Sequence, residues 1–391
     1  MNYLLQIKKY TDFLFIFFSI LLFSFAPWLS LHSIITNIIS KILYLFFFFF
    51  FFLSISISRY SKQKLKKSIP VILFIFIYSF IGLFRAGSDA FISSFVNFGI
   101  PLLILFYFYV VTDISINSKF VFILDLEIVI CVLLNCFFSI YLICTFDGDL
   151  TSLYIAKADY VGYNYIRNNR LRAFGFLNSA VIFSNYLSVF FIYLISNLKR
   201  KKFFLLRLIF LLFIFINIYI SGSRTPIISL FISTMMIIFF RNKIKYVPIL
   251  SVLCIFFILL IVSFSGGLDL SALGRIKQYL DAFMLFIRQP LGYGFGYAGF
   301  PNGMVSFDCS ILVILVNFGI IGLFILYKLY KKYFINNIKL NFGGCILVLN
   351  LFICSGFVNC IHLGILTLTV EIAFLIKEKK LKRRKIKCIR Y

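Results

Sequence analysis

Arginines supply most of the chemistry in this sequence. Three stretches hold them. "NNRLRAFGFLNSAVIFSNYL" (168–187) carries Arg170 and Arg172, followed by Gly175 and Asn178. "YISGSRTPIISL" (219–230) is a tight turn around Arg224, and "GRIKQYLDAFMLFIRQPLGYG" (274–294) holds Arg275, Lys277 and Arg288. A planar guanidinium fork offers paired, charge-assisted hydrogen bonds to phosphate oxygens. Arg224 adds a helix start: Pro226 fits the first helical position, with Ser223 or Thr225 as the cap. Free N–H groups and a positive dipole end make such a place a strong anion site. A bland alternative exists for each arginine, a side chain snorkelling to lipid headgroups.

Asp308, in "SFDCSILVILVNFGIIGLF" (306–324), directly precedes an apolar run. Near arginines it could act as a general base, although cations lower a carboxyl pKa and weaken it in that role. It could equally orient an arginine or cap the helix that follows. The stretch "QPLGYGFGYAGF" (289–300) interleaves four glycines with Tyr293, Phe295, Tyr297 and Phe300. Glycine permits close backbone approach and positive φ. The aromatic faces suit sugar rings, and suit a membrane interface equally well.

The elements that must position these groups are membrane helices. Hydrophobic residues make up 62% of the 391-residue chain and charged residues 13%. A soluble domain carries about 25% charged residues, so lipid must be the solvent here. With roughly 20 residues per span, the apolar runs give about twelve spans. They fall near 12–30, 35–58, 69–84, 94–112, 120–146, 177–196, 203–220, 226–240, 247–264, 309–327, 342–358 and 361–376. The last two could instead form a re-entrant hairpin. The expected fold is thus an all-α polytopic membrane protein built as a single integral membrane domain over 1–391. Alternating the spans puts Lys8-Lys9 and the basic clusters at 59–67, 199–207, 241–245, 328–339 and 377 onward on one face. By the positive-inside rule that face is cytoplasmic, and both termini with it. Two larger segments, 147–176 and 265–308, then lie outside, together with Arg167, Arg170, Arg172, Arg224, Arg275, Lys277 and Arg288. In the second, Leu273, Ile276, Leu280, Phe283 and Ile287 share one helical face, as in a helix lying along the membrane surface. Arg275 is expected to open that helix. The run Phe46–Phe52 sits inside a span and reads as lipid contact.

Several classes are disfavoured. The net charge of +26 falls in short clusters between apolar runs, which fits membrane topology better than nucleic-acid binding. Gly294, Gly296 and Gly299 match a dinucleotide-loop spacing, but a helix precedes them and a glycine stands near 319 where an acid is needed. The nine cysteines lack metal or redox spacing and read as small apolar fillers. His32 and His362 are too isolated for a metal site. Asp125 and Glu127 lie near the cytoplasmic end of a span, shallow enough for water. HExxH, Walker A and GxSxG motifs are absent. The first apolar run lacks a small-residue cleavage site, so no cleaved leader is expected.

In order, these motifs resemble the O-antigen and capsule polysaccharide polymerase family, related to the O-antigen ligases. The resemblance covers roughly 165–330. It rests on Arg172, Gly175 and Asn178, on "SGSRT" (221–225), and on an arginine-started helix leading into "PLGYGFG" (290–296). "DCSIL" (308–312) and "NFGIIGL" (317–323) complete it. It implies a glycosyltransferase in the bacterial inner membrane, working at the periplasmic face without metal, nucleotide or other cofactor. Its substrate would be an undecaprenyl-diphosphate-linked oligosaccharide repeat, and the pathway lipopolysaccharide O-antigen biosynthesis. Arg172, Arg224 and Arg275 would hold the diphosphate and stabilise it as leaving group, with Asp308 beside them. Arg170, Arg288, Tyr293 and Tyr297 would contact diphosphate or glycan. The implied partners are membrane lipids and a chain-length regulator, with no nucleic acid. Ligase relatives often carry histidine where Asp308 stands, which favours polymerase. Asn317 replaces an acid often found there, so that acid's role does not carry over. The rival readings are an O-antigen ligase and a flippase or secondary transporter. A transporter would place polar groups at midplane, often in repeated halves, and neither is evident.

Overall fold

Long apolar runs without internal breaks form helices because lipid leaves backbone polar groups no partner but the chain itself. The computed structural model describes residues 2–32, 34–58, 62–86, 103, 107, 116, 118–146, 166–167, 170–177, 179–197, 204–241, 270–295 and 310–338. The helices there are α1 (Asn2–His32), α2 (Ile34–Ile57), α3 (Lys62–Ala86), α4 (Ser118–Thr145), α5 (Ala180–Asn197), α6 (Phe204–Ile220), α7 (Arg224–Arg241), α8 (Leu270–Arg288) and α9 (Ser310–Ile338). Between α4 and α5 lie two-residue strands, β1 (Ile166–Arg167) and β2 (Arg170–Leu171), and a 3₁₀ turn, Gly175–Leu177. Eight of the expected spans coincide with helices. Of the span near 94–112 only residues 103 and 107 are described, and those near 247–264, 342–358 and 361–376 lie outside the described residues. Among the described residues three segments are long and apolar enough to cross a bilayer: Leu4–Ala26, Asn37–Ile57 and Lys119–Thr145. Shorter apolar helices cover Ile69–Arg85, Ala180–Ile195, Leu205–Ile220 and Leu312–Ile325. The described residues are mostly helical, and their apolar helices mark a membrane-embedded protein.

Pairwise contacts fix the relative directions of the helices. Phe15 meets Phe51, and Phe23 meets Phe47, so α1 and α2 are antiparallel. Phe13 stacks on Phe120 and the Asn135 amide reaches the Ser24 carbonyl, so α1 and α4 run together. Tyr193 donates to Asp125 while Tyr186 bonds Ser24, which turns α5 against both. Gly322 abuts Phe74, and Phe318 packs on Tyr78, making α3 and α9 antiparallel. The phenylalanine run is not all lipid contact. Phe47 and Phe51, one helical turn apart, are buried against α1, whereas Phe49 and Phe52 face outward.

One buried ionic cluster was not expected. Lys8, grouped by sequence with the cytoplasmic basic residues, is only 5% exposed and Asp12 only 1%. Lys8 Nζ lies 3.2 Å from Asp12 Oδ2 and donates to Ser58 Oγ at 2.7 Å. Ser54 and Tyr107 donate to the other Asp12 oxygen. Removing one member of a buried ion pair strands its partner, at a cost of about 3–5 kcal/mol, whereas replacing both by apolar groups is often neutral. Asp12→Leu is therefore expected to lower thermal stability sharply, and the double variant Lys8→Met, Asp12→Leu to recover most of it. Unfolding of the purified protein in detergent checks this. A double variant no better than the single one would refute the coupling.

Candidate functional site

Two of the sequence-predicted arginine motifs meet at one end of the bundle. β1 and β2 pair antiparallel, with Ile166 opposite Leu171 and Arg167 opposite Arg170. Like charges at paired positions cost stability unless an anion lies nearby. The chain leaving β2 docks on the α6–α7 turn. Arg172 Nε donates to the Ser221 carbonyl at 2.7 Å, and its Nη2 donates to Ser223 Oγ at 3.0 Å. The Ala173 N–H reaches the Ile220 carbonyl at 3.4 Å, and Ser223 Oγ reaches the Ala180 carbonyl, also at 3.4 Å. One guanidinium thus ties the strand pair to the turn "SGSRT", and that turn is tied to the start of α5.

Asn135 of α4 supports the cluster from below. Its amide nitrogen donates to the Ser24 and Cys131 carbonyls, and its oxygen accepts the Phe176 N–H at 3.0 Å. Phe138 stacks on Phe176 with ring centres 4.0 Å apart. These contacts hold the 3₁₀ turn, in which Gly175 takes φ +54° with Asn135 and Phe183 packed where a side chain would go. Sequence reading did not single out Asn135; a lone amide inside an otherwise apolar run was the available signal.

α7 begins at Arg224, not at Pro226 as expected. Pro226 is the third helical residue, still among the first N–H positions that lack a partner, so the ring costs no bond. Ser223 precedes the helix in the cap position. Arg224 is half-buried in the first turn, where the helix dipole opposes a cation.

The described part of the glycine-rich stretch, residues 289–295, packs against protein, and residues 296–300 lie outside the described residues. The Tyr293 N–H donates to the Val316 carbonyl and the Gly294 N–H to the Asn317 carbonyl, at 3.0 and 2.8 Å. In return the Ile320 N–H donates to the Pro290 carbonyl at 3.0 Å. α9 breaks between these bonds, at Gly319 with φ 59° and ψ −155°. On the other side the Phe295 N–H meets the Tyr78 carbonyl, the Tyr78 hydroxyl bonds Leu291, and the Phe295 backbone lies against Gly82. Close approach and positive φ, the two expected uses of glycine, both occur here.

The other predicted residues are placed as follows. Tyr293 is half-buried, its hydroxyl 3.4 Å from the Leu285 carbonyl and its ring 6.0 Å from the Arg85 guanidinium carbon. Arg288 is exposed in the last turn of α8, where a cation is favoured. Arg170 lies in β2. Arg275 lies in the second turn of α8, which starts at Leu270 and not at the arginine. Leu280, Phe283 and Ile287 of α8 face outward while Ala282 and Leu285 are buried, so the apolar stripe is turned away from the protein. Asp308 and Tyr297 lie outside the described residues. The structure therefore joins the Arg170–Arg172 strand to the Arg224 turn, and separately joins Tyr293 to α3 and α9. Glu127 is more deeply buried than its sequence position suggested, at 7% exposure.

Among the described residues no His, Cys, Asp and Glu cluster could hold a metal ion. The described cysteines, Cys131, Cys136 and Cys144, are unpaired. No family model matches the chain, and no curated protein matches it.

Proposed function

We propose that this protein is a polymerase of a lipid-linked surface polysaccharide, of the O-antigen kind. It has about twelve spans, both termini in the cytoplasm and its site facing the periplasm, as in the bacterial inner membrane. It moves a growing glycan from undecaprenyl diphosphate onto the non-reducing end of a new lipid-linked repeat. The bond broken joins sugar to diphosphate, and the bond formed joins that sugar to a hydroxyl of the incoming repeat. The hydroxyl proton is released and the diphosphate leaves as an anion. Arginines stabilise that developing charge, an electrostatic task that fixed donors perform well in a water-poor site. One observation carries the reading: Arg172 binds the turn that starts α7, so two separate arginine motifs share one end of the bundle. The strand register supports it, since it sets Arg167 opposite Arg170, two cations at paired positions.

The broken helix α9 is the feature that favours a transporter, where interrupted helices bind ions through freed carbonyls. Here the Val316 and Asn317 carbonyls already accept N–H groups from Tyr293 and Gly294, which leaves that break a packing role.

Deleting the gene and resolving the surface glycan on a gel tests the proposal. A polymerase deletion leaves a single repeat capped on the lipid core. A flippase deletion leaves none outside, and a ligase deletion leaves polymer on the carrier; either pattern overturns the assignment.

A further inference from the structure

A groove of about 1130 Å³ runs between α3, the 289–292 segment and α9. It exceeds the ~300–1,000 Å³ of an ordinary small-molecule pocket. One wall is α3 from Pro70 to Arg85, and the opposite wall carries Ile321, Phe324 and Ile325. The fifteen helical steps from Pro70 to Arg85, at ~1.5 Å each, give this wall a length of about 22 Å, most of one hydrocarbon core. Ile77 and Phe84 on one wall and Phe324 on the other are exposed, so the groove opens to the lipid side. Arg85 and Gln289 both line it, and Arg85 is the last of the α3 residues along it. Arg85 is exposed, its described contact is the Tyr293 ring, and among the described residues no carboxylate pairs with it. Arg288, also exposed, immediately precedes Gln289.

An apolar trough with an arginine at the end of its α3 wall matches a long hydrocarbon chain carrying an anionic head. We infer that this groove holds one polyprenyl diphosphate, its chain along α3 and its head at Arg85. The identity of the chain rests on the polymerase reading. Polymerisation joins two lipid-linked saccharides and therefore needs two lipid places. The groove is lined by α3, the 289–292 segment and α9, whereas Arg172 binds the 221–223 turn, so the groove would be a second place in addition to the arginine turn. The Tyr293 ring under Arg85 holds the guanidinium at the mouth, and the bonds from Tyr293 and Gly294 to α9 set the floor.

The test uses the full-length protein in zwitterionic nanodiscs and a diazirine-bearing polyprenyl diphosphate without sugar. After irradiation, labelled peptides are mapped by mass spectrometry. Label is expected in 70–85 and 321–325, suppressed by excess unlabelled polyprenyl diphosphate but not by equal phosphatidylglycerol. Arg85→Gln removes charged hydrogen bonds to the head and should weaken labelling about tenfold. Ile77→Trp should block it by filling the trough, and a thermal melt of each variant confirms that it is folded. Label spread evenly over all lipid-facing helices, or equal competition by phosphatidylglycerol, would overturn the inference. The probe bears no glycan, so this result is independent of whether the protein polymerises. A labelled groove in a protein whose deletion leaves long glycan intact would sink the polymerase reading alone.

Discussion

Arg224→Ala is expected to leave the protein inserted while lowering polymerisation about 10²–10³-fold, as loss of one oxyanion-stabilising donor does elsewhere. Arg224 is the first residue of α7, where the helix dipole disfavours a cation by ~0.3–1 kcal/mol. Arg85 and Arg288, by contrast, occupy the last turns of their helices, where the same dipole favours them. On the dipole alone, Arg224 thus stands at the disfavoured end of its helix. Arg172→Ala differs, because it removes the two hydrogen bonds that hold the turn. It should lose activity and also about 2–4 kcal/mol of stability, the bonds being to a charged group. Lysine at 224 should restore part of the activity, since a point charge attracts phosphate without forming the paired fork. Glycan length on an immunoblot, together with thermal unfolding of each purified variant, separates these outcomes. Full-length glycan from Arg224→Ala would remove Arg224 from the chemistry.

Local pattern made much of this architecture readable in advance. The α8 stripe was visible because Leu280, Phe283 and Ile287 repeat at helical spacing, and that face is indeed the one turned away from the protein. The use of the glycines was readable as chemistry, close approach and positive φ, but the surface approached was not. That surface is α3 and a broken α9, and nothing local in "NFGIIGL" says that the break will be filled from 26 residues upstream. The contact between Arg172 and Ser223 spans 51 residues and is formed by two turns that look alike in sequence to any polar loop. The Lys8–Asp12–Ser54 cluster was hidden for a related reason. A lysine at a span's end reads as a topology signal, and a serine in a phenylalanine run reads as incidental, until the α1–α2 pairing places them together. Hydropathy reports how far a residue is from water on average, not which neighbour it finds.

Gly319→Ala is expected to be among the most damaging single substitutions in the described chain, costing about 4 kcal/mol or more. Its φ of 59° with ψ of −155° belongs to a region that only glycine enters freely, and forcing another residue there costs ~1–3 kcal/mol. A methyl would also overlap the Pro290 carbonyl oxygen. Relief requires the 290–295 segment to move off, which breaks the bonds from Tyr293 to Val316, Gly294 to Asn317 and Ile320 to Pro290. Each is worth ~1 kcal/mol net, and the freed carbonyls would be left in a nearly dry place. Alanine further favours a straight helix, so α9 would gain local propensity by expelling the segment that the kink receives. Limited proteolysis should then cut between 289 and 300 in the variant and not in the parent, with the melting temperature falling in parallel. Ile320→Ala is the matched control. Ile320 is 58% exposed and its N–H, not its side chain, makes the contact with Pro290, so stability should hold within ~0.5 kcal/mol. Equal tolerance of both substitutions would mean that the kink is incidental. Tyr293 and the ring face it offers Arg85 would then owe their position to α3, through Tyr78 and Gly82, and to the Leu285 carbonyl of α8.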